Sequence, residues 1–302
     1  MNTMKTRIAL LVLLLGCGTV AAQIQIDQIR PAPPGVQVEV ENMFGTIEII
    51  GWDRNEIQVT GRMAAGAEGL EFEIDEEDGE AEIYIEAPDH WFYESDDDSD
   101  YRSELVVQVP RGSSLSVEAI NATVKVDGVS GAVEVETING NVTISGDPSV
   151  VEIESMTGDI DVRAQAAPME IEAVSGSVLL FGATGSVEVE SVSGEVVVAG
   201  SGVAEVSVET VSGPITLDVS VADQGEIGVE THSGDVEMLL PSDMKATFSI
   251  STFSGTIENE VGPAPRKTSR FEPYTELRFS TGPEEFEVQV ETFSGNVGLR
   301  LR

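Results

Sequence analysis

The chain has 302 residues, with 16 Lys and Arg against 54 Asp and Glu, giving a net charge of −38 at pH 7. This excess of acid argues against nucleic-acid binding, because phosphate contacts require clustered Lys and Arg. It also disfavours unaided docking on an anionic membrane surface. Since 41% of the residues are hydrophobic, the chain can still bury a core, and global disorder is not expected.

The first residues have the anatomy of a secretory signal peptide. Lys5 and Arg7 precede an apolar run at 8–15, and small residues lead to an exit at Ala22. The run is shorter than the roughly 20 residues that a membrane-spanning helix needs. We therefore predict a signal peptide over residues 1–22. The mature protein is expected to be exported, as a periplasmic, outer-membrane-associated or cell-surface protein.

An alternative interpretation places a lipid anchor at Cys17. The sequence LLGC at 14–17 resembles a bacterial lipobox, in which the cysteine is lipidated and becomes the first mature residue. Because Cys17 is the only cysteine, no disulfide, redox motif or cysteine metal site is expected. No later apolar stretch is long enough for a transmembrane helix, so membrane association is expected only if Cys17 is lipidated.

Residues 23–112 contain strand-like segments without regular spacing. Residues 36–49 read as an early coil with a turn at Gly45, and the 77 residues from there to Ala122 offer room for about four coils. An acidic loop is predicted to project from this region. Its carboxylates are Asp96, Asp97, Asp98 and Asp100.

One phrase, VETINGNV at 135–142, recurs along residues 113–261 and once more near the end. A degenerate copy has Ala122 at the marker position where later copies have glycine. The glycine markers then stand at positions 140, 158, 176, 194, 213, 234, 255 and 295. The spacing of 18 residues rises to 21 and ends with a step of 40, interpreted as two coils with one marker lost.

Apolar and polar residues alternate within each unit, which is the pattern of a β-strand. Glycine supplies the turn between strands. Two or three short strands per unit cannot close a core alone, whereas stacked units can. The sequence therefore predicts an all-β protein, a single right-handed parallel β-helix (β-solenoid) of about 18–21 residues per coil. The right hand follows from the general preference of parallel crossovers.

The predicted solenoid is one domain over residues 23–302. It has irregular N-terminal coils with the acidic loop at 23–112, regular coils at 113–261 and C-terminal coils at 262–302.

The recurrent phrase, the signal peptide and the turn Gly51-Trp52-Asp53 together resemble the bacterial putative-adhesin β-solenoids. These are exported proteins of a domain-of-unknown-function family, related to the head domains of some surface adhesins. The resemblance covers nearly all of the mature chain and implies the solenoid fold. It implies no catalytic residue, because none is assigned in the family.

An acid stands four residues before most markers, and stacking would place neighbouring acids about 4.8 Å apart. One interpretation is a line of weak sites for Ca²⁺ or another hard cation. We favour the alternative, a solvated row of charge that blocks lateral strand pairing. The cation candidates are Glu136, Glu154, Glu172, Glu190, Glu209 and Glu230, with Glu118 and Glu291 at equivalent positions and Ser251 as the gap.

The cluster at 96–100 is a second weak Ca²⁺ candidate, but it lacks the spacing of an EF-hand loop. A solvated acidic loop is again the favoured interpretation. His90 and His232 lie far apart without a third partner, so a zinc site is not expected. His232 reads as a variant of a turn or core position. No catalytic residue and no cofactor beyond weakly bound Ca²⁺ are predicted.

The leading functional hypothesis is a non-enzymatic, extracytoplasmic binding or adhesion-like scaffold of the bacterial envelope, with an unidentified envelope or surface ligand. One alternative is a polysaccharide-active β-helix enzyme. It is disfavoured because residues 117–261 contain only Lys125, Arg163 and Lys245 as cations, without a cluster. The other alternative is a structural protein that polymerises end to end.

Overall fold

The computed structural model describes residues 24–64, 67–75, 78–86, 102–267, 274–282 and 286–302, apart from the side chain of Asp223. These residues form strands, turns and bends, and contain no helix. The strands are β1 (Ile24–Pro31), β2 (Gln37–Trp52), β3 (Glu56–Met63), β4 (Gly69–Asp75), β5 (Glu80–Glu86), β6 (Ser103–Pro110), β7 (Ser114–Val129), β8 (Ala132–Asn139), β9 (Val142–Gly146), β10 (Val150–Thr157), β11 (Ile160–Ala164), β12 (Met169–Ser175), β13 (Val178–Ser193), β14 (Val196–Ser212), β15 (Ile215–Ser233), β16 (Val236–Leu240), β17 (Thr247–Thr252), β18 (Ile257–Asn259), β19 (Arg266–Lys267), β20 (Thr275–Ser280), β21 (Phe286–Thr292) and β22 (Val297–Leu301).

Successive repeats stack in parallel and in register. In what we call the first sheet, β8, β10 and β12 lie side by side, with Val135, Ile153 and Ile171 as direct partners. In the second sheet, β9 and β11 pair in the same way and continue into the first residues of β13. Strands β13, β14 and β15 run through both sheets. The all-β class is confirmed, and the arrangement is a β-solenoid-like stack.

The core lies between the two sheets and follows from the alternation in sequence. Val133 and Val135 of the first sheet and Val142 and Ile144 of the second are at most 1% exposed. Their polar neighbours point outwards. Burial of each such side chain contributes roughly 1.5–3 kcal/mol relative to exposure. Repetition of this small contribution along the stack supplies the core that one repeat could not build.

The marker glycines form a column at the corner that leads from the first sheet to the second. At Gly194 the backbone has φ = 134°, and a Cβ atom there would lie 1.9 Å from the carbonyl oxygen of Gly176. The same overlap recurs along the column, with Gly213 over Gly194 and Gly176 over Gly158. Glycine is therefore required at the marker positions for two reasons, because the turn needs its backbone conformation and because successive backbones approach too closely for a Cβ atom.

The N-terminal coils differ from the predicted arrangement. Gly45 pairs directly with Ala122, because β2 lies alongside β7 in parallel. The expectation of about four coils between these two residues is therefore wrong. The described part of the intervening chain contributes one parallel layer, β5 and β6, which packs on the opposite side of β2. The remaining strands turn back as antiparallel partners, which is why no repeat period is visible there.

The C-terminal coils also depart from sequence order. Strands β21 and β22 lie between β15 and β16 on one side and β17 and β18 on the other. A Cβ atom on Gly295 would lie 1.9 Å from the carbonyl oxygen of Gly234, and a Cβ atom on Gly255 would lie 1.9 Å from the carbonyl oxygen of Gly295. The step of 40 residues therefore does not contain a lost marker. Gly255 and Gly295, which bound this step, are neighbours in the column, and Gly295 lies between Gly234 and Gly255.

Antiparallel strands cover both ends of the stack. At the N-terminal end β3 pairs with β6 and with β1, and β4 pairs with β5. At the C-terminal end β20 pairs with β17 and with β19. The outer strands β18 and β19 are only 3 and 2 residues long. Short edge strands limit pairing with other chains.

Several predictions fall outside the described residues. They are the signal peptide at 1–22, the lipidation alternative at Cys17, the expectation for His90, and the cation candidates Asp96, Asp97, Asp98 and Asp100. In the part of the chain that the structure describes, no helix is long and apolar enough to cross a membrane.

Candidate functional site

A groove of about 1000 Å³ runs along the first sheet, parallel to the axis of the stack. It forms where each strand passes from its alternating part into the marker turn. Three residues of each repeat line it, an acid, a small or hydroxyl residue and an apolar residue, as in Glu136, Thr137 and Ile138. Because the coils stack in register, these three positions become three continuous rows.

The first row is the predicted column of acids. Glu136 pairs in register with Glu154, and Glu154 with Glu172. The row extends one coil beyond the predicted set, because Glu41 lies beside Glu118. In spatial order its members are Glu41, Glu118, Glu136, Glu154, Glu172, Glu190, Glu209, Glu230, Glu291 and Ser251. We call this row the acid wall.

The acids of this wall disfavour one another's ionisation. The carboxylate of Glu154 is the largest cause that raises the pKa of Glu172, and partial burial adds to it. For Glu136, partial burial comes first and the charge of Glu154 second, and both raise the pKa. Glu41 shows the same direction, with burial first and Glu118 second. Like charges at this spacing favour the neutral form.

Among the residues that the structure describes, basic side chains do not pair with the acid wall. None of the ion pairs formed by described residues includes an acid-wall residue. Pairs such as Lys125 with Glu48 and Arg163 with Asp161 belong to strands of the second sheet. The ion pairs of the described residues therefore leave the charge of the acid wall uncompensated.

The opposite row is apolar and exposed. Ile138 is 49% and Met156 54% exposed, although large apolar side chains are commonly buried. The row continues through Val174, Val192, Val211, His232, Phe293 and Phe253, after Met43 and Ile120 at its start. We call it the apolar wall. A contiguous exposed apolar strip of this kind marks an interaction surface more often than isolated apolar residues do.

The apolar wall ends in a stack of three rings. The His232 and Phe293 rings have centroids 4.9 Å apart and an interplanar angle of 4°. Phe253 lies on the other side of Phe293, also with a centroid distance of 4.9 Å. His232 is therefore an exposed member of the wall and is not a core residue. From the sequence, His232 was given a turn or core position, and its contact with the Phe293 ring was also not predicted.

Between the walls lies a floor of small and hydroxyl-bearing residues. Thr137 and Ser155 are each 5% exposed, and their hydroxyl oxygens have no hydrogen-bond partner in the structure. Ser191 and Thr292 also have unpartnered, buried hydroxyls. In contrast, the Thr210 hydroxyl donates to Thr231 Oγ1 at 2.9 Å. Small floor side chains keep the groove open over its length.

The groove offers carboxylate, hydroxyl and apolar side chains. Its lining residues contain neither Lys nor Arg, and His232 is their single histidine. Among the residues that the structure describes, no three His, Cys, Asp or Glu side chains converge as a metal site requires. The acid wall is a line of neighbours rather than a cage. Weak cation binding by Glu136, Glu154, Glu172, Glu190, Glu209 and Glu230 therefore stays a prediction.

The acid wall was found from sequence, whereas the apolar wall was missed. The signal was nonetheless present. In the strand that contains Val135, inward and outward residues alternate, and Ile138 falls on an outward position. An apolar residue recurs at this position in nearly every repeat, contrary to the polar residue expected on a solvated face.

Three solved structures are similar to this chain. A "putative adhesin" from Bacteroides fragilis covers 93% of this chain and 100% of its own, with 11% identity and a TM-score of 0.46. A "putative cell adhesion protein" from Clostridium sporogenes covers 92% and 100%, with 10% identity and a TM-score of 0.25. A "putative lipid binding protein" from Parabacteroides distasonis covers 71% and 94%, with 16% identity and a TM-score of 0.25.

Among curated proteins, no match to this sequence was found. The model of the Toastrack DUF4097 family matches residues 37–223, which is more than half of the chain. The matched segment begins with β2 and includes most of the coils that build the acid wall and the apolar wall. The chain therefore belongs to the Toastrack DUF4097 family.

Proposed function

We propose that this chain is an exported, non-catalytic binding scaffold of the bacterial envelope, and that the groove is its ligand-binding surface. The observation that carries the proposal is the groove itself, which keeps one acidic and one apolar row in register over many coils. A surface with this much exposed apolar and unpaired acidic area is costly to maintain in water. Occupation by a ligand removes that cost.

The finer description of the fold belongs to the same proposal. We take the coils to form one right-handed parallel β-helix over residues 23–302, because parallel crossovers strongly favour that hand. Export rests on the signal-peptide anatomy of residues 1–22, with lipidation at Cys17 as its alternative form. The single-domain organisation agrees with the continuous pairing from β2 to β22.

The two rival functions have less support. A polysaccharide-active enzyme would need a base or a charge stabiliser beside its acids, and the groove lining contains no Lys or Arg. End-to-end polymerisation would need open strand edges at both tips. At the C-terminal tip, the outermost described strands are β18 and β19, with 3 and 2 residues, and the part of the six-residue β20 that β19 does not cover. These strands offer only short edges for pairing with another chain.

The proposal can be tested with one blocked groove and one matched control. In the first variant, Val174→Arg and Val192→Arg place two large side chains on the exposed apolar wall. In the control, Leu179→Arg and Val197→Arg make equal changes at paired outward positions of the second sheet. The readout is binding of the fluorescently labelled mature chain to cell envelopes of the encoding organism.

We expect the groove variant to lose most of the binding shown by the unmodified chain, and the control to keep it. Equal binding by all three proteins would overturn the groove as the ligand surface. Circular dichroism and the unfolding midpoint verify that both variants remain folded.

A further inference from the structure

We propose that the ligand of the groove is an extended, basic peptide segment in which Lys or Arg alternates with apolar residues. The proposal rests on the function proposed above and names the ligand class. It follows from three properties of the groove: the close spacing of its two walls, their opposite chemistry, and the absence of ion-pair partners for its acids among the described residues.

The close spacing of the two walls favours an extended ligand. Eight steps between the nine acids of the acid wall give a length of about 38 Å at the spacing of stacked strands. The acid and the apolar residue of each repeat, such as Glu136 and Ile138, are two residues apart on one strand, which sets the walls roughly 6.6–6.8 Å apart. An α-helix with its side chains is about 10–12 Å across and is therefore wider than the distance between the walls. A single extended chain is the thinnest form of a polypeptide and can lie in the groove.

The two walls match the two sides of an extended chain. Successive side chains of a strand point in opposite directions. A chain that lies on the floor, parallel to the axis of the stack, therefore directs one set of side chains towards the acid wall and the other set towards the apolar wall. Alternation of basic and apolar residues is the pattern that satisfies both walls at once.

The charge requirement points to cations from outside the protein. The acid-wall residues have no ion-pair partner among the described residues, and the basic groups of the second sheet are engaged with their own acids. On one side of an extended peptide, successive side chains are roughly 6.6–6.8 Å apart, whereas successive acids of the acid wall are roughly 4.8 Å apart. About six basic side chains could thus be distributed over nine carboxylates, and flexible Lys side chains tolerate the mismatch.

The apolar wall adds specificity beyond simple attraction of cations. Ile138, Met156 and the aliphatic residues that follow offer continuous contact, and the stacked rings of His232, Phe293 and Phe253 extend it. A polyamine or a peptide of Lys and Ser would satisfy the acid wall alone. The proposed ligand is expected to bind more tightly than either, because it also removes apolar surface from water.

The test uses three labelled synthetic peptides of about twelve residues, which span about 40 Å when extended. One alternates Lys with Val, one alternates Lys with Ser, and one carries the same Lys and Val residues in two blocks. Binding to the full mature chain is measured by fluorescence anisotropy at physiological salt. We expect the alternating Lys–Val peptide to bind at least about tenfold more tightly than the other two, which corresponds to about 1.4 kcal/mol.

Matched variants locate the binding. Glu154→Gln, Glu172→Gln and Glu190→Gln together neutralise three acids of the acid wall. The control, Glu152→Gln, Glu170→Gln and Glu188→Gln, neutralises three outward acids of the adjacent column, which do not line the groove. We expect the first set to weaken binding about tenfold, because it removes three charge contacts with the peptide, and the control to weaken it much less.

The apolar wall is tested separately with Met156→Ser, Val174→Ser and Val192→Ser. This set should remove the preference for the Lys–Val peptide over the Lys–Ser peptide. Equal binding of all three peptides, or equal losses in the two glutamate sets, would overturn the proposal and leave diffuse attraction of cations. If no peptide binds but envelope binding still requires the groove, the ligand class is wrong and the proposed function survives.

Discussion

The middle of the stack and its two ends follow different rules. From β7 to β16 each coil lies on the one before it in sequence, and pairing advances by 18 to 21 residues. At the ends the order is broken. Strand β2 lies between β7 on one side and β5 and β6 on the other, although all three follow it in sequence. Strands β21 and β22 lie between β15 and β16 on one side and β17 and β18 on the other, all of which precede them in sequence. The period therefore determines which residues align, whereas the order of the coils depends on how each end is closed.

The largest expected effect distinguishes the inserted coil, β21 and β22, from the outer coil, β17 and β18. Val290 of β21 and Ile250 of β17 are both completely buried and are direct partners. Val290→Asp should be the more damaging change, because it places an unpaired carboxylate between two packed coils. We expect it to lower the free energy of unfolding by more than about 4 kcal/mol and to abolish a single transition in thermal unfolding.

Ile250→Asp is the matched control, since the outer coil can separate without opening the rest of the stack. Its effect should be smaller and confined to slow-exchanging amides near β17. A larger loss for Ile250→Asp than for Val290→Asp would contradict the inserted order. It would restore the simpler arrangement in which the last strands of the sequence form the outermost coil.

An intermediate effect is expected at the glycine column. Gly194→Val introduces a β-branched residue at φ = 134° and a Cβ atom 1.9 Å from the Gly176 carbonyl oxygen. We expect a loss of more than about 2 kcal/mol in chemical unfolding, because coils on both sides prevent adjustment. Gly255→Val makes the same overlap with Gly295, but in the outer coil. It should cost less than half as much, and equal losses would show that the outer coil is held as tightly as the middle.

The smallest effect concerns the charge of the middle coils. The pKa values of Glu136 and Glu152 are raised in the folded protein by desolvation first and by neighbouring carboxylates second, and that of Glu172 is raised by the charge of Glu154 first and by desolvation second. The folded state therefore binds protons more readily than the unfolded state, and the free energy of unfolding rises as pH falls towards the ordinary glutamate pKa. Between pH 7 and pH 5 the thermal midpoint should increase by a few degrees, about 2 °C.

A variant with Glu136→Gln, Glu152→Gln and Glu172→Gln serves as the control, because these positions can no longer titrate. It should be at least as stable as the unmodified chain at pH 7 and should gain less on acidification. A midpoint that falls steadily from pH 7 to pH 5 in the unmodified chain would mean that other groups, such as the ion pairs of the second sheet, dominate the pH dependence.

The middle of the fold could be predicted from sequence because each of its signals is local. Alternation around Val135 places the strand, and the fixed spacing of Gly140, Gly158 and Gly176 places the turns in one column. The acid wall followed from the same register. The ends could not be predicted in this way, because insertion of β21 beside β15 changes no residue spacing within either strand.

The groove was only half predicted for a different reason. The charge of Glu136 and its equivalents indicates an exposed position, whereas Ile138 and its equivalents are apolar, and the one residue of this row considered from the sequence, His232, was assigned to a turn or the core. Ile138 lies on the outward side of β8 because the alternation of inward and outward residues continues past Thr137. The apolar wall becomes recognisable only when side-chain parity is followed to the end of the strand.

The inserted strands also determine how the tips of the stack can open. The outer strands β17, β18, β19 and β20 are preceded in sequence by β16 and followed by β21, both of which belong to inner coils. At the other tip, β3, β4, β5 and β6 lie in sequence between β2 and β7, which pair with each other. When either of these segments melts, it forms a loop tethered at both of its ends, and this limits the entropy that reclosing costs. Local melting at a tip should therefore be brief and self-repairing, and a protease would find little time to cut there.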